Sequence, residues 1–161
     1  MSSDAGLFGC GFHPGSFGYE ELDAFTMAEW GVDYLKYDNC GSFYGATLPP
    51  QERYWRMADA LRRTGRDIFY SICQWGNQFP WLWADQFAGS YRMSGDIHPA
   101  FGTDSSGVCK TAYCLNVGYA GVSVLTMMRK MRELSYFQKS GSWGESTGYI
   151  SAFKWQKLTT S

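Results

Sequence analysis

Two carboxylates, Asp38 and Asp96, have the residue type and the position for acid–base or nucleophilic chemistry. Each follows or ends a short apolar stretch that is typical of a buried strand. Because function sits at the carboxyl ends of strands in parallel α/β folds, we expect both on adjacent parallel strands, facing one cleft. Paired carboxylates there suit a nucleophile and a general acid. Each also has a structural interpretation, as a helix N-cap or as the ion-pair partner of Lys36 or Arg92.

The elements that must position these residues alternate between strands and helices. Helical spacing of Leu22, Phe25 and Ala28 predicts a helix over residues 19–30, and Gly31 predicts its end. The other predictions are strands at 32–37, 67–73 and 90–97, helices at 50–64, 80–88 and 122–138, and loops at 1–17 and 98–118. This order predicts right-handed βαβ units and a parallel sheet, as an open sheet or a (β/α)₈ barrel. The lack of a glycine-rich phosphate loop disfavours a nucleotide-binding open sheet.

Composition and charge narrow the classes of function. The chain is 45% hydrophobic and 18% charged, which is ordinary for a globular protein. A net charge of −1 gives no reason to expect a nucleic acid or an anionic membrane as partner. No apolar run approaches the ~18 residues that span a membrane, and no signal peptide opens the sequence. The 18% aromatic content suits a sugar-binding cleft but equally suits a core.

Five cysteines, at positions 10, 40, 73, 109 and 114, form no C-x-x-C pair, which argues against a zinc ribbon. Their odd number fits two disulfides and one thiol in an oxidising compartment, and five thiols in a reducing one fit equally. Cys109 and Cys114 could close a small loop. His13 and His98 lack a partner pattern and are interpreted as surface residues. The sequence therefore implies no metal and no cofactor.

Four motifs follow one another over residues 3–97. They are SDAG at 3–6 with PGSFGYE at 14–20, WGVDYLKYDNC at 30–40, TGRDIFYSICQWG at 64–76, and RMSGDI at 92–97. Together they resemble glycoside hydrolase family 27, the melibiase type of retaining α-galactosidase. The resemblance implies that Asp38 is the nucleophile and Asp96 the general acid/base of a double displacement, with carboxyl groups about 5–5.5 Å apart.

The resemblance also implies substrate contacts. Lys36 lies on the same side of its strand as Asp38 and would donate to sugar hydroxyls. Arg92 matches a residue that bonds the 2-hydroxyl of the sugar, and Cys73 and Trp75 match residues that line the galactose pocket.

A family disulfide is implied as well. Cys10 and Cys40 resemble a pair that braces the loops around the nucleophile. That pairing leaves Cys73 as a thiol in the pocket.

For domain organisation, the resemblance implies that residues 1–143 are the central part of a catalytic barrel and residues 144–161 a divergent tail. A complete barrel needs about 250 residues, so the expected fold is a partial (β/α)₈ barrel with about four of eight strand-helix units.

The expected function is hydrolysis of terminal α-D-galactose from an oligosaccharide or polysaccharide. The family implies a secreted protein, and this chain alone is expected to be inactive. The alternative is a non-catalytic partial barrel or interaction module. α-N-acetylgalactosaminidase and β-L-arabinopyranosidase are related activities, and the run Cys73-Gln74-Trp75 favours the galactosidase form. Nothing in the sequence predicts an oligomeric state.

Overall fold

A computed structural model describes residues 1–43, 48–97, 100–102 and 122–145. Its strands form one sheet in chain order: β1 (Ser2–Asp4), β2 (Tyr34–Asp38), β3 (Phe69–Ile72), β4 (Ser90–Arg92) and β5 (Trp143–Glu145). The first four pair in parallel. The predicted α/β class with a parallel sheet is confirmed.

Three α-helices and four short 3₁₀ turns connect the strands of the described part. The α-helices are α1 (Glu20–Glu29), α2 (Pro50–Arg63) and α3 (Val124–Leu134). The 3₁₀ turns lie at Cys40–Phe43, Pro80–Leu82, Ala84–Gln86 and Ser135–Phe137. Among the residues described, no helix has the length and apolar character needed to span a bilayer.

The chain divides into two compact units. The first contains Met1–Gln74, Leu82–Tyr91 and Lys139–Trp143, and therefore most of the sheet. The second contains Trp75–Trp81, the described residues between Arg92 and Gln138, and Gly144 with Glu145. Within the first unit, the Trp143 N–H donates to the Gly89 carbonyl at 3.1 Å, which attaches the start of β5.

Three of the predicted elements differ from the structure. Residues 1–17 were expected to be a loop, yet Ser2–Asp4 forms β1 by pairing with β2. The expected helix at 80–88 is two 3₁₀ turns. The third predicted strand stops at Arg92, and Ile97 makes only an isolated parallel bridge with Val122. In each case, pairing with a neighbouring strand or a local turn outweighs the propensity of the segment.

The ends of α2 follow from its sequence. Pro50 occupies the first turn, where its missing N–H costs nothing. Arg62 and Arg63 lie in the last turn, where their positive charges interact favourably with the negative end of the helix dipole. Gly65 then takes φ +72°, a conformation that glycine adopts without steric cost, and the helix ends.

The buried residues of α1 are not those whose spacing predicts the helix. Leu22 and Phe25 are 64% and 43% exposed, whereas Ala24 and Met27 are 0% and 4% exposed. The apolar residues of this helix are spread around its circumference, so spacing alone does not select one stripe. Packing onto the rest of the first unit selects the face of Ala24 and Met27.

Three buried tyrosines, one each from β2, β3 and α2, form a cluster. Tyr37 packs edge-on against Tyr54 with ring centroids 5.7 Å apart, and Tyr37 and Tyr70 lie 5.8 Å apart. The Tyr70 hydroxyl donates to the Tyr54 carbonyl at 3.0 Å. Burial raises the pKa of all three phenols well above the usual value, and the negative charge of Glu20 adds to the effect on Tyr37 and Tyr70.

The orientation of α1 is tested by a matched pair of truncations. We expect Met27→Ala to lower the free energy of unfolding by about 2–4 kcal/mol, because it removes a buried side chain and leaves a cavity. Leu22→Ala, on the exposed side of the same helix, should change it by less than about 0.5 kcal/mol. Urea unfolding followed by circular dichroism measures both. A larger effect at Leu22 than at Met27 would contradict the observed orientation of the helix.

The tyrosine cluster predicts a loss of stability at alkaline pH. The folded state holds the three phenol protons above the unfolded pKa of ~10, whereas the unfolded chain releases them. Each phenol therefore lowers the free energy of unfolding by up to ~1.4 kcal/mol per pH unit above ~10. Urea unfolding between pH 8 and 11, with phenolate absorbance at 295 nm, measures this. Tyr70→Phe should flatten the slope, and an unchanged slope would contradict the burial.

Candidate active site

Strand β2 carries Lys36 and Asp38 on one side, since side chains alternate along a strand. Their charged groups lie 3.5 Å apart, from Lys36 Nζ to Asp38 Oδ2. The Asp38 side chain is 14% exposed and that of Lys36 is 34% exposed, so the pair is accessible at the strand end. Asp38 Oδ1 accepts the Asn39 N–H at 2.9 Å. The carboxylate is thus oriented by an ammonium group and a backbone amide.

The backbone of Asp38 is held from two directions. Its carbonyl accepts the Ala5 N–H at 2.9 Å and the Tyr54 hydroxyl at 3.2 Å. The Arg53 guanidinium, in a residue that is 3% exposed, donates to the Ala5 carbonyl at 3.1 Å and to Asn39 Oδ1 at 3.4 Å. Helix α2 therefore braces the end of β2 from behind.

A disulfide closes the loop beside this strand end. Cys10 and Cys40 are bonded, with Cα atoms 5.0 Å apart across 30 residues of sequence. The pairing that the resemblance implied is confirmed. Cys73 keeps its thiol and is buried, and its N–H donates to the Tyr37 carbonyl at 2.8 Å. Cys109 and Cys114 lie outside the described residues.

In the second unit, Arg92 and Asp96 form a close ion pair. Arg92 Nη2 lies 2.8 Å from Asp96 Oδ1, and the guanidinium also donates to the Ser94 carbonyl, from Nε at 3.2 Å and from Nη2 at 2.9 Å. The Arg92 side chain is 3% exposed, whereas that of Asp96 is 53% exposed. Arg92 thus fixes the turn that presents Asp96 to solvent.

Two further contacts hold the segment that contains Asp96. Val122 donates its N–H to the Asp96 carbonyl at 2.9 Å, next to the bridge between Ile97 and Val122. Lys130 on α3 donates to the Ser94 hydroxyl at 2.7 Å. Ser123 caps the start of helix α3, and its side chain accepts the Thr126 N–H. The helix therefore anchors the Arg92–Asp96 turn inside the second unit.

Trp75 stands in a turn with unusual backbone geometry. Trp75, Gln78 and Phe79 have φ values of +67°, +54° and +55°, which are uncommon for residues with a side chain. Gly76 has φ +81°, and a Cβ there would lie 2.2 Å from the Met93 carbonyl oxygen, so only glycine fits. Such clusters of strained residues are found at functional sites more than elsewhere.

The predicted site residues divide between the two units. Lys36, Asp38 and Cys73 belong to the first, and the second contains Trp75, Arg92 and Asp96. The ion pairs that formed the structural interpretation, Lys36 with Asp38 and Arg92 with Asp96, are both present. The strands were expected to be adjacent, which is wrong: β3 lies between β2 and β4, because spatial order follows chain order.

A shared cleft for Asp38 and Asp96 and their catalytic roles stay predictions. The boundary between residues 143 and 144 also stays a prediction, although β5 runs from Trp143 to Glu145. His13 is exposed as expected, and His98 lies outside the described residues.

The support around Asp38 has no clear signal in the sequence. Asp4 belongs to a motif in the expected loop, and Arg53 and Tyr54 belong to an expected helix. In the structure, Asp4 is 1% exposed and its carboxylate accepts three backbone N–H groups. An aspartate followed by Ala-Gly is a weak signal for a strand end, and nothing in α2 marks Arg53 as a buried cation.

Comparison with known proteins identifies the family. Residues 1–93 match the sequence profile of the melibiase family described as "Alpha galactosidase A". The chain belongs to glycoside hydrolase family 27. "Alpha-galactosidase mel1" of Schizosaccharomyces pombe is 47% identical over 138 residues, which are 84% of this chain and 32% of that protein. "Alpha-galactosidase 3" of Arabidopsis thaliana is 53% identical over 96 residues, 60% of this chain and 21% of its own length.

Solved structures extend the similarity to the fold. α-Galactosidase I from Mortierella vinacea superposes with a TM-score of 0.80 at 40% identity, covering 91% of this family 27 chain and 37% of the other. MEL1 from Saccharomyces cerevisiae gives 0.81 at 37% identity, covering 91% and 33%. These proteins have the TIM-barrel fold, which confirms the predicted partial (β/α)₈ barrel. The family 27 chain spans about a third of the length of these relatives.

The disulfide is tested by alkylation of the denatured protein without reduction. We expect iodoacetamide to label Cys73 and to leave Cys10 and Cys40 unlabelled, because their sulfurs are bonded to each other. Peptide mass spectrometry reads the label at each cysteine. A second sample, reduced before alkylation, should carry label at all three and controls for peptide recovery. Label on Cys10 or Cys40 in the unreduced sample would contradict the pairing.

Proposed function

We propose that this chain supplies the catalytic carboxylates of a retaining α-galactosidase, which hydrolyses terminal non-reducing α-D-galactose from galactosides. The observation that carries the proposal is Asp38: an accessible carboxylate at the carboxyl end of a parallel strand, paired with Lys36, in a member of family 27. The relatives named above are α-galactosidases, so the alternative of a non-catalytic interaction module gains no support from them.

The proposed reaction is a double displacement. Asp96, in its protonated form, gives its proton to the glycosidic oxygen as the bond from that oxygen to the anomeric carbon breaks. Asp38 attacks the same carbon from the opposite face and forms a galactosyl ester. Asp96, now a carboxylate, takes a proton from water, which displaces Asp38 and releases galactose with its α configuration retained. The exposure of Asp96 suits this exchange of protons with the leaving group and water.

The neighbouring residues have proposed substrate roles. Lys36 would donate to galactose hydroxyls while its ammonium stays near Asp38. Arg92 would bond the 2-hydroxyl, and its ion pair with Asp96 means that sugar and carboxylate compete for one guanidinium. Trp75 would offer an aromatic wall held in a rigid turn, and Cys73 would lie at the end of β3 behind the sugar.

The substrate class and the compartment are proposals as well. One solved relative is an α-galactosidase from Saccharomyces cerevisiae with raffinose, and we propose an α-galactoside oligosaccharide or polysaccharide for this protein too. The bond between Cys10 and Cys40 supports a secreted protein, because disulfides persist in oxidising compartments.

The 161-residue chain by itself is proposed to lack appreciable activity. It spans 32% of the length of the S. pombe relative. Double displacement depends on holding the sugar in register with both carboxylates, and a misplacement of about 1 Å costs ~100-fold in rate. A site with only part of its sugar contacts would hold galactose too loosely.

A chimera tests whether these carboxylates are competent. Residues 1–143 would replace the matching segment of the S. pombe relative, and hydrolysis of p-nitrophenyl α-galactoside would be measured. We expect turnover by the chimera and none by the isolated chain. Asp38→Gly in the chimera should lower kcat at least ~1,000-fold, since the nucleophile acts only with its partner. Azide should then restore turnover and yield β-galactosyl azide, because it attacks from the vacated face.

The acid/base role of Asp96 predicts a different azide product. With Asp96→Gly, azide should yield α-galactosyl azide, since Asp38 still forms the ester and azide replaces water in the second step. Asp33→Asn, at a carboxylate that is 84% exposed and paired with Arg66, is the matched control and should retain activity. A folded chimera that keeps full activity after Asp38→Gly would refute the proposal.

A further inference from the structure

We propose that Asp4 is a positioning residue for Asp38, which it orients through the backbone amides of the turn after β2. The inference rests on the proposed function only in that it treats Asp38 as the nucleophile. The geometry that supports it is independent of any reaction, and all the residues involved lie in the first unit.

Asp4 accepts hydrogen bonds from three backbone amides. Its Oδ1 accepts the N–H of Gly6 at 2.8 Å and that of Gly41 at 3.2 Å. Its Oδ2 accepts the Cys40 N–H at 2.7 Å. Asp4 is 1% exposed, so these amides have little access to water as an alternative partner. Two of the three belong to the turn that begins directly after Asp38.

The turn held by Asp4 is the one that orients the nucleophile. Asp4 and Asp38 are paired in the register of β1 and β2. The N–H of Asn39, the residue between Asp38 and Cys40, donates to Asp38 Oδ1 at 2.9 Å. If Cys40 and Gly41 move away from Asp4, the Asn39 amide turns with them and its bond to Asp38 is lost. Asp4 thus acts on Asp38 through the chain, and its own side chain is buried.

The disulfide does not make this restraint redundant. Cys10 restrains the side chain of Cys40, and it lies in an exposed loop. Asp4 restrains the backbone of the same residue from inside the sheet, where β1 pairs with β2. A restraint attached to a strand fixes geometry more closely than one attached to a loop.

A metal site is the competing explanation for these acidic and sulfur groups. Carboxylate oxygens of Asp4 and Asp38 and the sulfurs of Cys10 and Cys40 lie within 4.8 Å of one another. A cysteine sulfur binds a metal ion as a thiolate, and these two sulfurs are bonded to each other. Both oxygens of Asp4 already accept backbone N–H groups, and those of Asp38 face the Asn39 N–H and the Lys36 ammonium.

The closeness of the two carboxylates also has an electrostatic cost. Burial raises the pKa of Asp4, three backbone amides oppose that shift, and the charge of Asp38 adds to it. A neutral residue at position 4 would avoid the repulsion. A neutral side chain, however, would offer fewer acceptor sites for the three backbone amides that Asp4 holds beside Asp38.

The test is amide hydrogen exchange by NMR on the 161-residue chain, as wild type and as Asp4→Asn. The substituted amide replaces one acceptor oxygen by a donor that faces an N–H. We expect exchange to become ~10-fold faster at Cys40, Gly41 and Asn39, which is the change for one lost hydrogen bond. The amides of Cys73 and Gly89, bonded within the sheet, should keep their rates. Asp33→Asn is the charge-matched control.

Asp4→Ser, which is smaller and keeps one acceptor, provides a second variant in case Asp4→Asn does not fold. The proposal is overturned if Asn39 exchanges at its wild-type rate while Cys40 accelerates, because Asp4 would then not reach Asp38. It is also overturned if all amides accelerate alike or if both variants unfold, because the role would then be structural. No outcome depends on hydrolysis, so failure of the proposed function would leave this result unaffected.

Discussion

Parallel pairing in chain order sets where the groups around Asp38 lie. It aligns Asp4 with Asp38 and Lys36 with Ser71, so that β1, β2 and β3 end along one edge of the sheet. A slip of one residue would turn both Asp38 and Lys36 to the other face of the sheet. The catalytic assignment therefore depends on a register that buried residues such as Leu35 and Tyr37, both 0% exposed, hold by packing on one side of β2.

Several polar groups are buried at this edge of the sheet. Asp4 and Arg53 are 1% and 3% exposed, and the hydroxyl of Tyr54 bonds the Asp38 carbonyl. Each of them meets backbone amides or carbonyls, so burial costs less than it would without partners. The partners are the peptide groups around Asp38. The stability of this network and the orientation of the candidate nucleophile are therefore the same physical problem.

Local sequence patterns predict the wrong element where contacts with the rest of the fold outweigh the helix or strand propensity of a segment. Ser2–Asp4 has few strand-forming residues, and it becomes a strand because β2 offers its edge. Residues 80–88 have the composition of a helix, but left-handed residues at Gln78 and Phe79 and two 3₁₀ turns replace it. In α1, apolar residues surround the helix, so the neighbours in the first unit selected Ala24 and Met27 as the buried face.

Short motifs in the sequence indicate the family and, through that resemblance, imply the pairing of Cys10 with Cys40. Local patterns of residue types predict the alternation of strands and helices and the two candidate carboxylates. The tertiary structure adds that β3 separates β2 from β4, and that Asp4 accepts hydrogen bonds from backbone amides of a turn 36 residues away. Such contacts join distant segments through backbone N–H and carbonyl groups. Because every residue has a backbone carbonyl and nearly every residue an N–H, the residue types in the sequence do not reveal which of these groups will pair.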